Sequence, residues 1–366
     1  MKKFLGNLLA ACMCGFLVNV PVTGFTQAVW PEQGVPDYQE LRAKVKAEGP
    51  KLLFSDSPEM VYETGILYRD TLQGEGRLFF HHVNGTSKLK KLAIIPIIVK
   101  NNGLRPVNFA VTRSGIDGPS HDYQAVGKKS QEYYFEEQKS KNSTLGFGKT
   151  LELLSGEGML LPTDQLLTGT IDFFSDRPVE VTVLMCDPKT DIELFSALAK
   201  QLPIDEHPLR GTFVKADLNY KLQHSIDTDD TEAGVGYALL LADSQTGEYL
   251  RGTDATTGLP AENYGNYGVI YNIDYKLKGD KPYELWLNPW GGMFAGVGVL
   301  EQGGQRKIIN IPESPAFGRL GEEGFCIARL EPNSEGRFTW SPPGASNLPI
   351  RLFWLPSDYE APYLHD

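Results

Sequence analysis

The sequence predicts an all-β fold, arranged as two β-sandwich-like domains joined by a short helix and a linker. Three observations carry that reading. Apolar residues recur at every second position in many short stretches, the period of a strand with one buried face. Gly (38) and Pro (24) are abundant, as turn-rich β chains require. A helical stretch followed by the acidic segment Ile204–His207, held between Pro203 and Pro208, divides the 366 residues into two halves, each long enough for its own core.

The clearest strand signal lies between Asn263 and Leu300. Val269, Tyr271, Ile273, Tyr275 and Leu277 alternate with Asn272, Asp274, Lys276 and Lys278. Lys278-Gly279-Asp280 supplies a turn, and Tyr283, Leu285 and Leu287 resume the alternation after Pro282, so the segment reads as a hairpin.

The N-terminus reads as a signal peptide over residues 1–28. Lys2 and Lys3 precede an apolar run to Phe25, and Thr26-Gln27-Ala28 fits a small-x-small cleavage site. Loss of those two lysines takes the net charge from −11 to −13. Leu9-Ala10-Ala11-Cys12 offers an alternative, lipid anchoring at Cys12. Asn19, Pro21 and Gly24 interrupt the run as a membrane span, and the later sequence offers no transmembrane segment. The acidic balance argues against nucleic acid and anionic membrane surfaces, which call for clustered Lys and Arg. The expected location is secreted or cell envelope.

Residues 29–50 form a lead-in, with a short helix expected from Pro36-Asp37 on the stripe Tyr38, Leu41 and Val45. Residues 51–186 form the first domain. Two strand–turn–strand units there echo each other: Asn101–Pro106 leads into Val107, Phe109 and Val111, and Ser175–Pro178 leads into Val179, Val181 and Val183. Pro96 marks an edge or bulge. Ser120 or Asp122 caps a helix bearing Tyr123, Val126 and Tyr133/Tyr134, which Gly127 is expected to break, and Lys139–Gly148 reads as a loop. Residues 187–210 hold the joining helix, with a capping box at Thr190 and Glu193 and a face of Ile192, Phe195, Leu198 and Ala199. Residues 211–357 form the second domain, with turns DSQTGE, KGDKP and EQGGQ suited to hairpins and a central strand at Ile350–Leu355. Residues 358–366 are a polar tail.

Candidate sites divide by chemistry. Tyr264, Tyr267, Trp286, Trp290 and Phe294 cluster near loops; exposed, they would stack on sugar rings, and buried, they plug a core. Asp227, Asp229, Asp230 and Glu232 place oxygen ligands densely enough for calcium, but the spacing fails the EF-hand pattern and a solvated acidic loop is the simpler reading. His81 and His82 are neighbours in a strand and face opposite ways, one packed and one exposed, so they do not share a metal. Ser120-His121-Asp122 reads as a cap and turn rather than a triad, which is a spatial arrangement. The sequence has no Gly-x-Ser-x-Gly elbow, no His-Glu-x-x-His and no phosphate-binding glycine loop. Cys186 and Cys326 read as a disulfide permitted by export or as two separate buried thiols.

Leu53-Phe54-Ser55-Asp56-Ser57-Pro58-Glu59, Asn263-Tyr264-Gly265-Asn266-Tyr267-Gly268 and the run Ser341-Pro342-Pro343-Gly344-Ala345-Ser346-Asn347-Leu348-Pro349 carry a resemblance. With them the chain resembles a family of uncharacterised secreted two-domain β proteins of Firmicutes-type bacteria, some labelled "copper amine oxidase N-terminal domain" proteins. The resemblance implies a secreted or envelope location and no established activity. Copper amine oxidases carry Asn-Tyr-Asp/Glu and three His ligands; here Gly265 follows Asn263-Tyr264, no His-x-His occurs, and only His365 lies downstream. No cofactor is expected.

The sequence thus points to an exported, non-catalytic cell-surface or envelope protein with a structural or interaction role. The alternative is a carbohydrate- or cell-wall-binding module built on the aromatic loops, with a cell-wall or surface glycan or another envelope protein as partner. A hydrolase with groups scattered over loops is the third reading.

Overall fold

The computed structural model describes residues 38–86, 92–155, 159–229, 236–244, 249–314 and 324–357. The signal-peptide segment with Cys12, the tail 358–366, and Asp230 and Glu232 lie outside the described residues.

The chain is all-β. The first strands are β1 (Tyr38–Glu40), β2 (Ala43–Glu48), β3 (Lys51–Ser55), β4 (Met60–Val61), β5 (Gly65–Asn84), β6 (Ile97–Lys100) and β7 (Val107–Ser120). Helix α1 (Tyr123–Phe135) precedes β8 (Lys141–Leu145), β9 (Thr150–Leu154) and β10 (Leu166–Met185), and α2 (Ile192–Leu198) follows them. Next come β11 (Arg210–Phe213), β12 (Asp217–Leu222), β13 (Ile226–Asp227), β14 (Gly236–Leu241), β15 (Arg251–Thr253) and β16 (Pro260–Glu262). The last are β17 (Ile270–Lys278), β18 (Tyr283–Asn288), β19 (Phe294–Gln302), β20 (Gln305–Ser314), β21 (Phe325–Leu330), β22 (Glu335–Trp340) and β23 (Ile350–Pro356).

Three sheets result. The first, of 11 strands, runs β16-β15-β11-β3-β5-β10-β6-β9, with β4, β7 and β8 attached. The second, of 5, runs β1-β14-β23-β18-β21, and the third, of 7, runs β2-β12-β17-β22-β19-β20 with β13 on β17. The 5- and 7-stranded sheets enclose one core through Leu285, Leu352 and Trp354 on one side and Tyr271, Ile273 and Trp340 on the other. The 11-stranded sheet encloses the other, centred on Phe80, Ile97, Phe109, Phe173 and Val181.

The two cores share a wall. Leu52 and Phe54 of β3 and Phe79 of β5 pack into the core of the smaller sheets. Leu53, Leu78 and Phe80, one step away in the same strands, pack into the other. The period-two geometry of a strand makes this possible, and β3 and β5 pair in parallel. Strands buried on both faces read as continuous apolar runs, which is how Leu52-Leu53-Phe54 and Leu78-Phe79-Phe80 appear. The expected division at 187–210 is therefore not where the sheets divide. Strands β11, β15 and β16 extend the first sheet through the pairing of β11 with β3, and β1 and β2 of the lead-in pair with β14 and β12.

Other local expectations are corrected. The lead-in from Tyr38 is strand rather than helix, because β12 and β14 offer edges that an isolated helix turn cannot match. Ser175–Pro178 is not a hairpin turn: it is an irregularity inside β10, where pairing with β5 slips between Ser175 and Val179. Nor do β6 and β7 pair with each other; both pair with β10, along different halves. The KGDKP turn is a crossover, since β17 pairs with β12 and β22 while β18 pairs with β21 and β23. Strands β14 and β15, on either side of DSQTGE, also lie in different sheets. EQGGQ does join a hairpin, β19 with β20, with Gly303 and Gly304 at positive φ. Lys139–Gly148 contains strand β8, held on β7. Strand β23 is central, as its two apolar faces require.

Helix α1 is continuous through Gly127. Asp122 caps it, accepting from Ala125 N at 3.0 Å. It lies between the first sheet and β19, where Tyr134 and Phe135 pack with Ile270, Val297 and Val299. Gly127 is required by contact: a Cβ there would lie 2.0 Å from the Gly344 carbonyl oxygen. Helix α2 is capped by Asp191 rather than Thr190. Ile192, Phe195 and Ala199 pack inward as expected, while Leu198 is exposed. Cys186 and Cys326 are both free thiols; Cys186 is buried as expected of a separate thiol, but Cys326 is exposed.

Candidate functional site

Where the first sheet meets the third, the chain buries a charge. Arg77 sits in β5 among apolar neighbours and is 3% exposed. Its Nε and Nη2 donate to the two carboxylate oxygens of Asp172 on β10, at 2.7 and 3.1 Å. Its Nη1 donates to Asp217 Oδ1 on β12 at 2.7 Å and to the Gly268 carbonyl at 3.2 Å. Tyr134 of α1 donates its hydroxyl to Asp172 Oδ2 at 2.7 Å. Burial alone would favour loss of the guanidinium proton; the charges of Asp172 and Asp217 outweigh it and hold the pKa well above the usual arginine value. One cation thus ties the first sheet, the third sheet and the helix between them.

Beside this knot opens a polar cleft of about 360 Å³. Its rim carries Arg113, Glu301, Arg306 and Arg337. Arg337 forms a two-pronged pair with Asp274 at 2.6 and 3.0 Å. Arg306 donates to the Phe135 carbonyl at the C-terminal end of α1, where the helix dipole favours a cation. The Arg113 guanidinium lies 5.1 Å from the centre of the Tyr134 ring.

A second polar cluster lies along the segment Ser55–Glu59, which leaves β3. His82 Nδ1 faces the Pro58 carbonyl at 2.9 Å, and a carbonyl only accepts, so Nδ1 carries the proton. Nε2 is then the acceptor for the Ser55 hydroxyl, at 2.9 Å. This is the bonding order of a nucleophile and its base, but Ser55 and His82 are both 0% exposed. His81 bonds Thr168 Oγ1 at 3.1 Å; the Thr168 proton goes to the Phe80 carbonyl, so His81 Nδ1 is the donor. The expectation of one exposed histidine is thus corrected: the wall between the cores buries both faces of β5. Burial pulls His81 down to about 3 and His82 to about 4, so both are neutral near pH 7.

The linker docks on the same segment. Asp205 accepts from Ser57 Oγ and the Glu59 backbone N–H, each at 2.8 Å. Arg210, 2% exposed, pairs with Asp254 at 2.9 Å and donates to the carbonyls of Ser57, Leu67 and Leu202. Burial works against the Asp254 charge, yet Thr256 and Arg210 together hold its pKa below the usual carboxylate value. Asp56 is the exception. It is 7% exposed and its Oδ1 has no hydrogen-bond partner among the described residues. Burial, with Glu59 and Asp205 nearby, raises its pKa well above the carboxylate range.

The sequence-predicted residues do not form one site. Trp286 (2% exposed) and Phe294 (0%) are core, Phe294 lying against Trp340. Tyr267 packs on Phe79 and donates to the Ser346 carbonyl at 2.8 Å. Trp290 is half-buried under the Arg351 guanidinium, 3.5 Å from its ring centre. Only Tyr264 is exposed, at 52%. The exposed aromatic cluster expected for sugar stacking is therefore not assembled there: β18 is buried along its whole length and β19 from Phe294 to Leu300. Of the acidic loop, Asp227 Oδ1 accepts from the Asp229 backbone, and Asp229 accepts from the Asp280 backbone across the KGDKP turn. Among the described residues no three His, Cys, Asp or Glu side chains converge as a metal-ligating group. Ser120-His121-Asp122 is a cap and turn: Ser120 Oγ accepts from Asp122 N, and His121 bonds the Asp164 carbonyl.

Sequence reasoning missed Arg77, Asp172, Asp217, Arg210 and Asp254. Strand β5 also carries Arg69, Asp70 and Glu75, so Arg77 did not stand out as a charge; the signal was the apolar run Leu78–Phe80 beside it, since a cation buried there demands a counter-charge.

No family model and no curated protein matches the chain. Among solved structures, the oxalate decarboxylase of Lactobacillus farciminis in its formate complex is 10% identical, covering 92% of this chain and 87% of its own, with a TM-score of 0.16. The CUB1-EGF-CUB2 domains of rat MASP-1 are 7% identical over 87% of this chain and 99% of theirs, with a TM-score of 0.19. Tomato vicilin is 10% identical over 84% and 85%, with a TM-score of 0.13. At these scores the likenesses carry no argument about fold or function. No helix among the described residues is long and apolar enough to cross a membrane.

Proposed function

We propose that the protein is an exported, non-catalytic component of the cell surface or envelope with a structural or interaction role. Export rests on the basic, apolar and small-x-small order of residues 1–28. The single observation favouring a non-catalytic role is the state of the polar groups at the junction. Arg77, 3% exposed, has all three guanidinium nitrogens bonded, and His82 has both ring nitrogens bonded while 0% exposed, so neither keeps a free polar atom to offer a substrate. Such a frame presents broad sheet faces outward, and faces of this kind suit recognition of a glycan or an envelope protein.

Cell fractionation of the native host, with N-terminal sequencing of the recovered chain, tests the location. The chain is expected in the envelope or medium, starting at Val29. A chain kept in the cytoplasm with Met1 in place overturns the reading. Treatment with a fluorophosphonate probe tests the chemistry: Ser55 should remain unlabelled, and stoichiometric labelling there would make the protein a serine enzyme.

A further inference from the structure

We propose that the outer face of β7, β8 and β10 around Phe174 is a docking platform for a pyranose-based glycan. Phe173 and Phe174 are consecutive in β10 and point to opposite faces. Phe173 is 2% exposed and stacks on Phe109, with ring centres 5.4 Å apart. The core therefore accounts for Phe173 and not for Phe174, which is 43% exposed.

The register places small and polar groups on the β7 side of that ring and the exposed Glu75 of β5 on the other. Phe174 pairs across the sheet with Ala110, and Ala110 pairs with Asn142 on β8. The short Ala110 side chain leaves a shallow recess of about 410 Å³, lined by Phe174, Ala110, Asn108, Asn142, Ser143 and Thr144 among others. Asn108 is fixed in place: its backbone N–H and its Nδ2 each donate to Asp176 at 2.9 Å, and its Oδ1 accepts from Thr144. The Asn142 side chain makes no hydrogen bond among the described residues, and its amide offers donors and an acceptor together.

This is the chemistry a sugar ring needs. The C–H face of a pyranose packs on an aromatic ring, and its hydroxyls, which both donate and accept, pair with amides and hydroxyls. No charged side chain lines the recess. With a net charge of −11, that disfavours phosphorylated ligands. The proposal extends the interaction role above by naming the partner class and the face.

The test is sedimentation of the full chain with purified peptidoglycan, insoluble chitin and cellulose. Wild-type protein should be retained by at least one polymer. Phe174→Ala should weaken retention about tenfold and Asn142→Ala severalfold, while Phe174→Trp retains binding. Tyr264→Ala should change nothing. Failure of all three polymers to retain the wild type, or undiminished retention of both Phe174→Ala and Asn142→Ala, overturns the proposal. That failure leaves the export reading standing, since fractionation reads it separately.

Discussion

Arg77 grips Asp172 through two parallel hydrogen bonds, at 2.7 and 3.1 Å, with the guanidinium 3% exposed. The pair sits where both cores and α1 meet, so its loss is felt on all three. Arg77→Met should destabilise the protein by about 2–4 kcal/mol, because it leaves Asp172 and Asp217, 18% and 24% exposed, without their cation. Arg77→Lys should recover only part of this, since an ammonium cannot form the fork. Urea denaturation of both variants checks the ranking.

The buried histidines predict acid sensitivity. Burial lowers His81 to about 3 and His82 to about 4, from an ordinary value of 6.5. The unfolded chain takes up protons as pH falls through 6.5, and the folded chain does not until near 4 and then 3. Their contribution is therefore complete above pH 6.5 and declines below it, with a slope of up to about 1.4 kcal/mol per pH unit for each ring. In the Asp56→Asn background, which removes the opposing carboxyl, denaturation midpoints at pH 7.5, 6 and 5 should fall in that order, and adding His81→Asn should remove about half of the slope.

Asp56 acts with the opposite sign. Its folded pKa is raised by burial, so the folded state keeps a proton that the unfolded chain loses above its ordinary value of 3.8. Its contribution weakens as pH rises above that value. Asp56→Asn removes the penalty and should raise stability at pH 7.5 while leaving pH 4 nearly unchanged. Thermal melting at the two pH values reads the difference.

Gly127 gives a test in which local and tertiary effects disagree. Helix propensity alone predicts that Gly127→Ala stabilises α1 by about 1 kcal/mol. The added methyl would instead meet the Gly344 carbonyl at 2.0 Å and push the helix off the Ser341–Gly344 segment. The variant should lose about 1–3 kcal/mol, measured by chemical denaturation.

Trp286 separates core from binding surface. At 2% exposure, Trp286→Ala should cost about 3–5 kcal/mol through the cavity it leaves. Tyr264→Ala, at an exposed position, should change stability by under about 0.5 kcal/mol.

What the sequence made legible was local. The alternation in Val269–Leu277 placed β17, the apolar run Ile350–Leu355 placed β23 as a central strand, and EQGGQ placed a hairpin. What it hid was pairing at long range. A tight turn at Lys278-Gly279-Asp280 looks the same whether the chain returns beside itself or crosses to another sheet. The irregularity at Ser175–Val179 made one strand read as two, because Pro178 and Asp176 are turn residues as well as bulge residues. The shared wall was present as Leu52-Leu53-Phe54 and Leu78-Phe79-Phe80, runs that alternation does not describe. The junction was least legible, since Arg77, Asp172 and Asp217 lie 95 and 140 residues apart and meet only in space.

The central claim is that a buried ionic knot joins the first sheet to the third, and a double-mutant cycle between Arg77 and Asp217 measures it. Unfolding free energies of Arg77→Met, Asp217→Asn and the double variant give the coupling. The structure predicts at least about 1 kcal/mol between these residues. A coupling within about 0.3 kcal/mol of zero would mean that the two sheets are held together without it, and would contradict the account.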